Sequence, residues 1–481
     1  MAYREALNYL ASRTRVIELC NQLGGRVALC PDWHGRVMTS SCDGLDGYSF
    51  GLVNVREIDK NENNNTEFGV DINNMRLCGG EDQFTFSPDY GAFSIYDNLE
   101  NDNSLNEIKS SEIKSGEIKS GEIKSGLSNF SQRGFFEDKF ITDSEPPDPE
   151  IRMRRSVSFN NRLGTHFDFD ISRIVRLIEL DEIGEIFGHS VAISLEQIDT
   201  SYVAFQTINT VVNRGNPLIR ELGLVSIKIR NMLNTGADSV AIIPFRSGQE
   251  IELGPNFGVD FFDLASHSQL RKLPHAVLIR SGNRHHCQIG ISRNRAAPFL
   301  GSVDFRNGNL TLVSFNLPES AWEYDYLSNA FFEMKVEETN NAGFSSGPGV
   351  DFVCTRNNNI YNRDCEFVRK GSEFIKSKSP EKSNNSRISK IDQTDNEQFD
   401  SLYSGEVVRV YNRGFFDKDV ESAFRYCEFD IFSAARELMK GESLSHQQYT
   451  LHINADNQTL AFITNEVLGI NYQQTYEKIS R

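Results

Sequence analysis

Two acids stand one residue apart in Tyr426-Cys427-Glu428-Phe429-Asp430. Alternate side chains of a strand share a face, so Glu428 and Asp430 present paired carboxylates to one side. Such a pair suits general acid–base work. The plain alternative is two solvated acids on a strand facing water, because acids are rarely buried without partners. A second acidic pair, Glu81-Asp82, follows Gly79-Gly80. Consecutive glycines permit an unusual turn that presents the adjacent acids and backbone amides to a ligand. Carboxylates accept hydroxyl protons and Arg36 can donate in return; the same residues equally make an Arg–acid pair that holds strands together. His446 and His452 share a strand face with Gln448 and Thr450. Six residues of strand hold two histidines roughly 20 Å apart, too far for one metal ion.

The elements that must position these groups read as β. Arg26–Pro31, Phe93–Tyr96, Ala276–Arg280 and Asn309–Pro318 are short runs of Val, Ile, Leu and Phe, most of them bounded by Gly, Asn, Asp or Pro. Thr165–Leu180 alternates at length, with Phe167, Phe169 and Ile171 on one face against Asp168 and Asp170. Asn307-Gly308 marks a hairpin. Helix is sparse: one is expected near the C-terminus, where Leu460, Ile463, Val467 and Leu468 recur at helical spacing before Gly469, and another over residues 3–13. Many strands with little helix between them predict an all-β antiparallel sandwich or barrel.

The chain has 481 residues and a formal charge of −17, from 50 Lys+Arg against 67 Asp+Glu. That acid excess argues against a nucleic-acid or anionic-membrane partner. Mean hydropathy is −0.43, and no apolar run approaches the roughly 18–20 residues of a membrane span. The N-terminus lacks the pattern of a secretory signal, so a cytoplasmic location is expected. The 8 cysteines are scattered without a C-x-x-C pair, which predicts reduced thiols and no structural metal. Length alone allows two or three domains. Three polar stretches change that count: 59–74, 97–150 with Glu-Ile-Lys-Ser recurring from Glu107, and 370–400. A five-residue period fits neither helix nor strand, so these read as loop insertions into one domain spanning 1–481.

Val27–Asn54, Leu77–Tyr96, Val211–Asn234, Gly405–Gly414 and the segment from Tyr426 to His452 together resemble a bacterial domain-of-unknown-function family with a galactose-mutarotase-like fold. The resemblance implies a β-supersandwich with a carbohydrate-sized groove on a concave face, and chemistry without a cofactor. Mutarotases open a sugar hemiacetal with a carboxylate base and histidine acids. Glu428 and Asp430 match a Glu-x-Glu pair of the family, and either is placed by the resemblance where the base sits. The histidines do not carry over. Cys78 stands before Gly79-Gly80 where the mutarotase segment has His, and Val212-Asn213-Arg214 has no histidine. His446 is the candidate replacement acid. Asn213 and Asn412 are polar positions in matched segments, readable as ligand contacts or as turn chemistry.

The leading expectation is a carbohydrate-binding or carbohydrate-modifying protein, with an aldose-epimerase-like isomerase as its enzymatic form. It requires Arg36, Glu81, Asp82 and at least one of Glu428 and Asp430 to converge on one concave face. The alternative is a non-catalytic interaction protein that uses the sandwich as a scaffold. A lyase or hydrolase acting on acidic polysaccharide would need a basic groove, which a charge of −17 does not favour.

Overall fold

The computed structural model describes residues 1–63, 78–89, 93–95, 139–144, 148–161, 164–197, 200–236, 238–259, 270–280, 287–328, 402–413 and 426–471. Its strands in chain order begin with β1 (Ile17–Cys20), β2 (Arg26–Cys30), β3 (Arg36–Ser41), β4 (Gln83–Ser87), β5 (Ile141–Thr142), β6 (Glu150–Asn160) and β7 (His166–Leu177). There follow β8 (Ser201–Asn213), β9 (Ser226–Asn234), β10 (Val240–Pro244), β11 (Gly258–Val259), β12 (Leu270–Lys272) and β13 (Ala276–Arg280). The last are β14 (Cys287–Ser292), β15 (Phe299–Asp304), β16 (Asn309–Phe315), β17 (Glu406–Arg413), β18 (Tyr426–Phe432) and β19 (Ser443–Asn454). They form a three-stranded sheet β1-β2-β3, a ten-stranded sheet β12-β13-β10-β15-β16-β19-β8-β7-β6-β5 and a six-stranded sheet β11-β14-β17-β18-β9-β4. These strand pairings are antiparallel, as the short runs and turn residues predict.

The two large sheets face each other. Phe84, Phe86, Ile227 and Ile229 of the six-stranded sheet share a core with Phe167, Phe169, Val203 and Phe205 of the ten-stranded one. A second core joins Ile289, Val410 and Phe429 to Ile243, Val277 and Val313. The expected alternation of β7 is realised: Phe167, Phe169 and Ile171 are buried while His166 and Ser172 are exposed. Helices Leu180–Phe187, His189–Leu195 and Asn457–Leu468 cover the part of the ten-stranded sheet's outer face that includes Tyr202, Ala204, Leu451 and Ile453. In the last of these, the Asp456 side chain accepts from the amides of Gln458 and Thr459 at 2.7 and 3.1 Å, and Gly469 (φ 69°) ends it in the left-handed region. No helix among the described residues is long and apolar enough to cross a membrane.

Four details differ from the sequence reading. Helix Val55–Asn63 runs into the stretch read as the 59–74 insertion, the rest of which lies outside the described residues. Phe93–Ile95 is not a strand; Phe93 and Ile95 nevertheless enter the main core, so burial alone explains their apolar character. β5 and the start of β6 lie inside the stretch read as the 97–150 insertion, because Ile141 and Thr142 pair with Arg154 and Met153. Helix Leu180–Phe187 begins where strand alternation was expected to end, its pattern masked by the glycines at 184 and 188. The Glu-Ile-Lys-Ser repeat and the 370–400 stretch lie outside the described residues.

The three sheets meet at Asp82. Its backbone pairs with Val37 of β3 in both directions, at 3.1 and 3.2 Å. Its carboxylate accepts from Arg173 of β7 at 2.5 Å, Thr207 of β8 at 2.8 Å and Gln448 of β19 at 3.1 Å. Gln448 donates onward to Asn231 of β9 at 2.6 Å. Both partners of the Asp82–Arg173 pair are fully buried. Removing one partner of such a pair strands the other charge in low dielectric. Asp82→Ala is therefore expected to lower stability by about 3–5 kcal/mol, read as a fall in the urea midpoint of the full chain. An unchanged midpoint would show that Asp82 does not hold the sheets.

Candidate functional site

One large sheet face is not apolar. On β9, Ile227, Ile229 and Asn231 point between the sheets, so Lys228, Arg230 and Met232 point outward. The register then places a continuous row on the outer face of the six-stranded sheet: Gly258, Gly290, Arg409, Asp430, Arg230 and Gln83. The next row holds Gln288, Tyr411, Glu428 and Met232. Period-2 alternation thus puts Glu428 and Asp430 on one face, as their spacing predicts.

Arg230 gathers the two acids. Its Nε lies 2.7 Å from Glu428 Oε1 and 3.2 Å from Asp430 Oδ1. Beside it Lys228 is ion-paired with Asp89, whose second oxygen lies 3.8 Å from Arg409 Nη1. Arg409 also donates to Glu406 at 3.0 Å. A side chain at Gly290 would overlap Glu406, since a Cβ there would stand 1.7 Å from its Oε1. Glycine at this strand position therefore clears the path by which Glu406 lies across β14. Burial pushes the Asp430 carboxyl up, but Arg230 and Lys228 more than offset that and hold it below the usual carboxylate range. Asp430 is thus ionised at neutral pH. The side chains of Arg230 and Asp430 are 1% and 5% exposed, whereas Glu428 keeps 12% and Glu406 20%. The more open parts of this face are at Glu406 and Glu428. The ionised Asp430, the fixed guanidinium groups, the Glu428 carboxyl group and the Tyr411 ring together can bind hydroxyl groups and handle a proton at Glu428.

The remaining predicted residues do not join this face. Glu81 accepts from Ser40 at 3.0 Å and lies 3.3 Å from His452 Nε2, both buried between layers. Asp82 is the sheet junction already described. The glycine turn before them is structural: Gly79 (φ 99°) would place a Cβ 1.9 Å from Leu52 O, and Gly80 bridges Leu52 and Met232 through its backbone. Arg36 spends its guanidinium on Trp33 O at 3.0 Å and Gly79 O at 2.5 Å. Burial, with the charges of Arg230 and Arg173 adding to it, pulls Arg36 down to about 10, still protonated at neutral pH. Asn213 holds a turn, donating to Asn216 O at 2.8 Å and Leu438 O at 3.0 Å. Asn412 shares a register row with Cys427 and Leu233, between the sheets, and donates weakly to Arg280 O at 3.4 Å. Arg214 makes an exposed pair with Asp170 at 2.6 Å. Glu81 and Asp82 do not converge with the Glu428 face, because the turn delivers both acids inward.

His446 faces the space between the sheets, in a row with Asn209 and Arg173. Among the described residues neither ring nitrogen has a hydrogen-bond partner. Burial, with Arg173 nearby, pulls His446 down to about 3. It is neutral in the folded protein and apart from the carboxylates. Sequence reasoning passed over Arg230, Lys228, Arg409 and Asp89. The available signal was Lys228 and Arg230 alternating with isoleucine in β9, a charged stripe on a strand whose other face is core. No group of three or more His, Cys, Asp or Glu among the described residues could hold a metal ion.

Two outcomes follow from this geometry. Because the folded pKa of His446 is depressed, its contribution to stability is fully present above about 6.5 and lost as pH falls toward about 3. His446→Phe is expected to flatten stability over that window in urea titrations at stepped pH; an unaltered slope would contradict it. Arg230→Met removes the cation that offsets burial, so the Asp430 carboxyl should titrate higher in carbon-detected NMR. No upward movement would show that Arg230 does not set it.

Similarity to known proteins is distant in structure and clear at family level. The fold is similar to that of the Slr1438 protein of Synechocystis sp. PCC 6803, at TM-score 0.39 and 10% identity, covering 92% of this chain and 97% of that one. A candidate aldose 1-epimerase from Escherichia coli K12 matches at TM-score 0.40 and 6% identity, with 92% and 99% covered. A candidate mutarotase from Salmonella typhimurium matches at 0.37 and 8%, with 94% and 99% covered. No curated protein matches the chain. The model of the family of unknown function DUF6786 matches residues 1–114, 135–339 and 381–479, and the chain belongs to that family.

Proposed function

We propose that the outer face of the six-stranded sheet binds a carbohydrate, with Glu428 as the group that meets its reactive hydroxyl. The observation that carries this is Arg230 Nε held at 2.7 and 3.2 Å between Glu428 and Asp430, with Glu428 alone of the three appreciably exposed. A carboxylate fixed by a buried cation accepts hydroxyl hydrogen bonds without having to be oriented on binding. Asp430, more deeply buried, supports Glu428 and keeps Arg230 in place. The arrangement suits a neutral ligand rich in hydroxyl groups better than an acidic polymer, since the cations of the face are already matched by Asp89, Glu406, Glu428 and Asp430.

In the enzymatic form Glu428 takes the anomeric hydroxyl proton, and a second group must protonate the ring oxygen. None of the six strands of this sheet contains a histidine, and Tyr411 is the register partner of Glu428. That observation favours a second reading, recognition without turnover. Both are tested by saturation-transfer NMR of the full chain with D-glucose, D-galactose, D-mannose and L-arabinose, combined with anomer-exchange measurements. Binding is expected for the parent and weakened about tenfold or more in Glu428→Gln, the loss expected for a hydrogen bond to a charged group. Binding without anomer exchange selects the recognition form. A parent chain that binds none of these sugars sinks the proposal.

A further inference from the structure

Gln83 opens β4 immediately after Asp82. Its register partner is Arg230, and the residues on either side point inward, so its side chain lies on the outer face beside the Glu428–Arg230–Asp430 cluster. Gln83 is fully buried, and among the described residues neither its Nε2 nor its Oε1 meets a hydrogen-bond partner. An amide taken out of water with both functions unmet is a standing cost to the fold, which an apolar side chain of similar size would remove. Its neighbour on the same face behaves differently: Thr85 donates to Lys228 O at 3.1 Å. The strand therefore accommodates polar side chains that have partners, and Gln83 is the residue whose hydrogen-bonding capacity is left over.

We propose that Gln83 is a specificity-determining residue of this site, its amide donating to one hydroxyl of the ligand and accepting from the next. This deepens the carbohydrate reading and rests on it. The amide presents a donor and an acceptor side by side in one plane, which matches a pair of adjacent hydroxyl groups on a neutral sugar. The face is buried at Gln83, Lys228 and Arg230 and partly open at Glu428 and Tyr411. The assignment requires that a sugar entering past Glu428 open the face over Arg230 as far as Gln83.

The test uses the full chain with Gln83→Leu and Gln83→Glu, and reads both melting temperature and saturation-transfer NMR with D-glucose, D-galactose, D-mannose and L-arabinose. Gln83→Leu is expected to keep or raise the melting temperature while weakening sugar binding about tenfold or more. Gln83→Glu should change the preference among the four sugars, because a carboxylate accepts but does not donate. If Gln83→Leu binds like the parent while Glu428→Gln does not, the assignment of Gln83 is overturned and the reading of the face stands. A clear fall in melting temperature for Gln83→Leu also overturns it, by showing that the amide serves the fold. If the parent binds none of the sugars, the reading of the face fails and the assignment falls with it.

Discussion

A single buried carboxylate ties this architecture together. Asp82 is bonded through its backbone to the three-stranded sheet and through its side chain to β7, β8 and β19 of the ten-stranded sheet. The next residue starts β4 of the six-stranded sheet. A charge so deep needs partners on both oxygens, and Arg173 meets one while Thr207 and Gln448 meet the other. Geometry follows from that constraint. With Asp82 turned inward, period-2 alternation turns Gln83 outward, and β4 is set against β9 with Gln83 facing Arg230.

From this junction the two large sheets acquire different outer faces. Part of the outer face of the ten-stranded sheet is covered by apolar helices packed on Tyr202, Ala204, Leu451 and Ile453, while the alternate residues of β6 and β7 stay exposed or half-buried. The six-stranded sheet instead carries Lys228, Arg230, Arg409, Glu428 and Asp430 in adjoining rows. A face built only for stability would be cheaper as hydrocarbon, because desolvating several charges gains little over packing. The retained network holds charged groups rigidly, with Glu428 and Glu406 partly exposed. Preorganisation of that kind is what recognition of a hydroxyl-rich molecule needs.

Much of this was legible in the residues. The alternation of Phe167, Phe169 and Ile171 announces a strand with one buried face, and Asp456 and Gly469 bracket the C-terminal helix by ordinary capping chemistry. Glu428 and Asp430 were placed on one face by spacing alone. The misreadings have a common cause. Residue type shows that Glu81, Asp82, Arg36 and His446 are polar, but which layer a turn delivers them to depends on tertiary pairing. Glycines 79 and 80 signalled an unusual turn, and the turn proved to face Leu52 and Met232 rather than a ligand. Arg230 was hidden for the complementary reason: a cation alternating with isoleucine reads as a solvated strand face, whereas here that face is buried as well.

The central claim concerns where a ligand sits, so locating one tests it most directly. The measurement is a crystal structure of the full chain soaked with D-galactose at high concentration. The account predicts the sugar on the outer face of the six-stranded sheet, with a hydroxyl group within hydrogen-bond distance of Glu428 and its ring over the Arg230–Asp430 row. A sugar bound between the sheets at Glu81 and His452, or against the helices of the ten-stranded sheet, would contradict it.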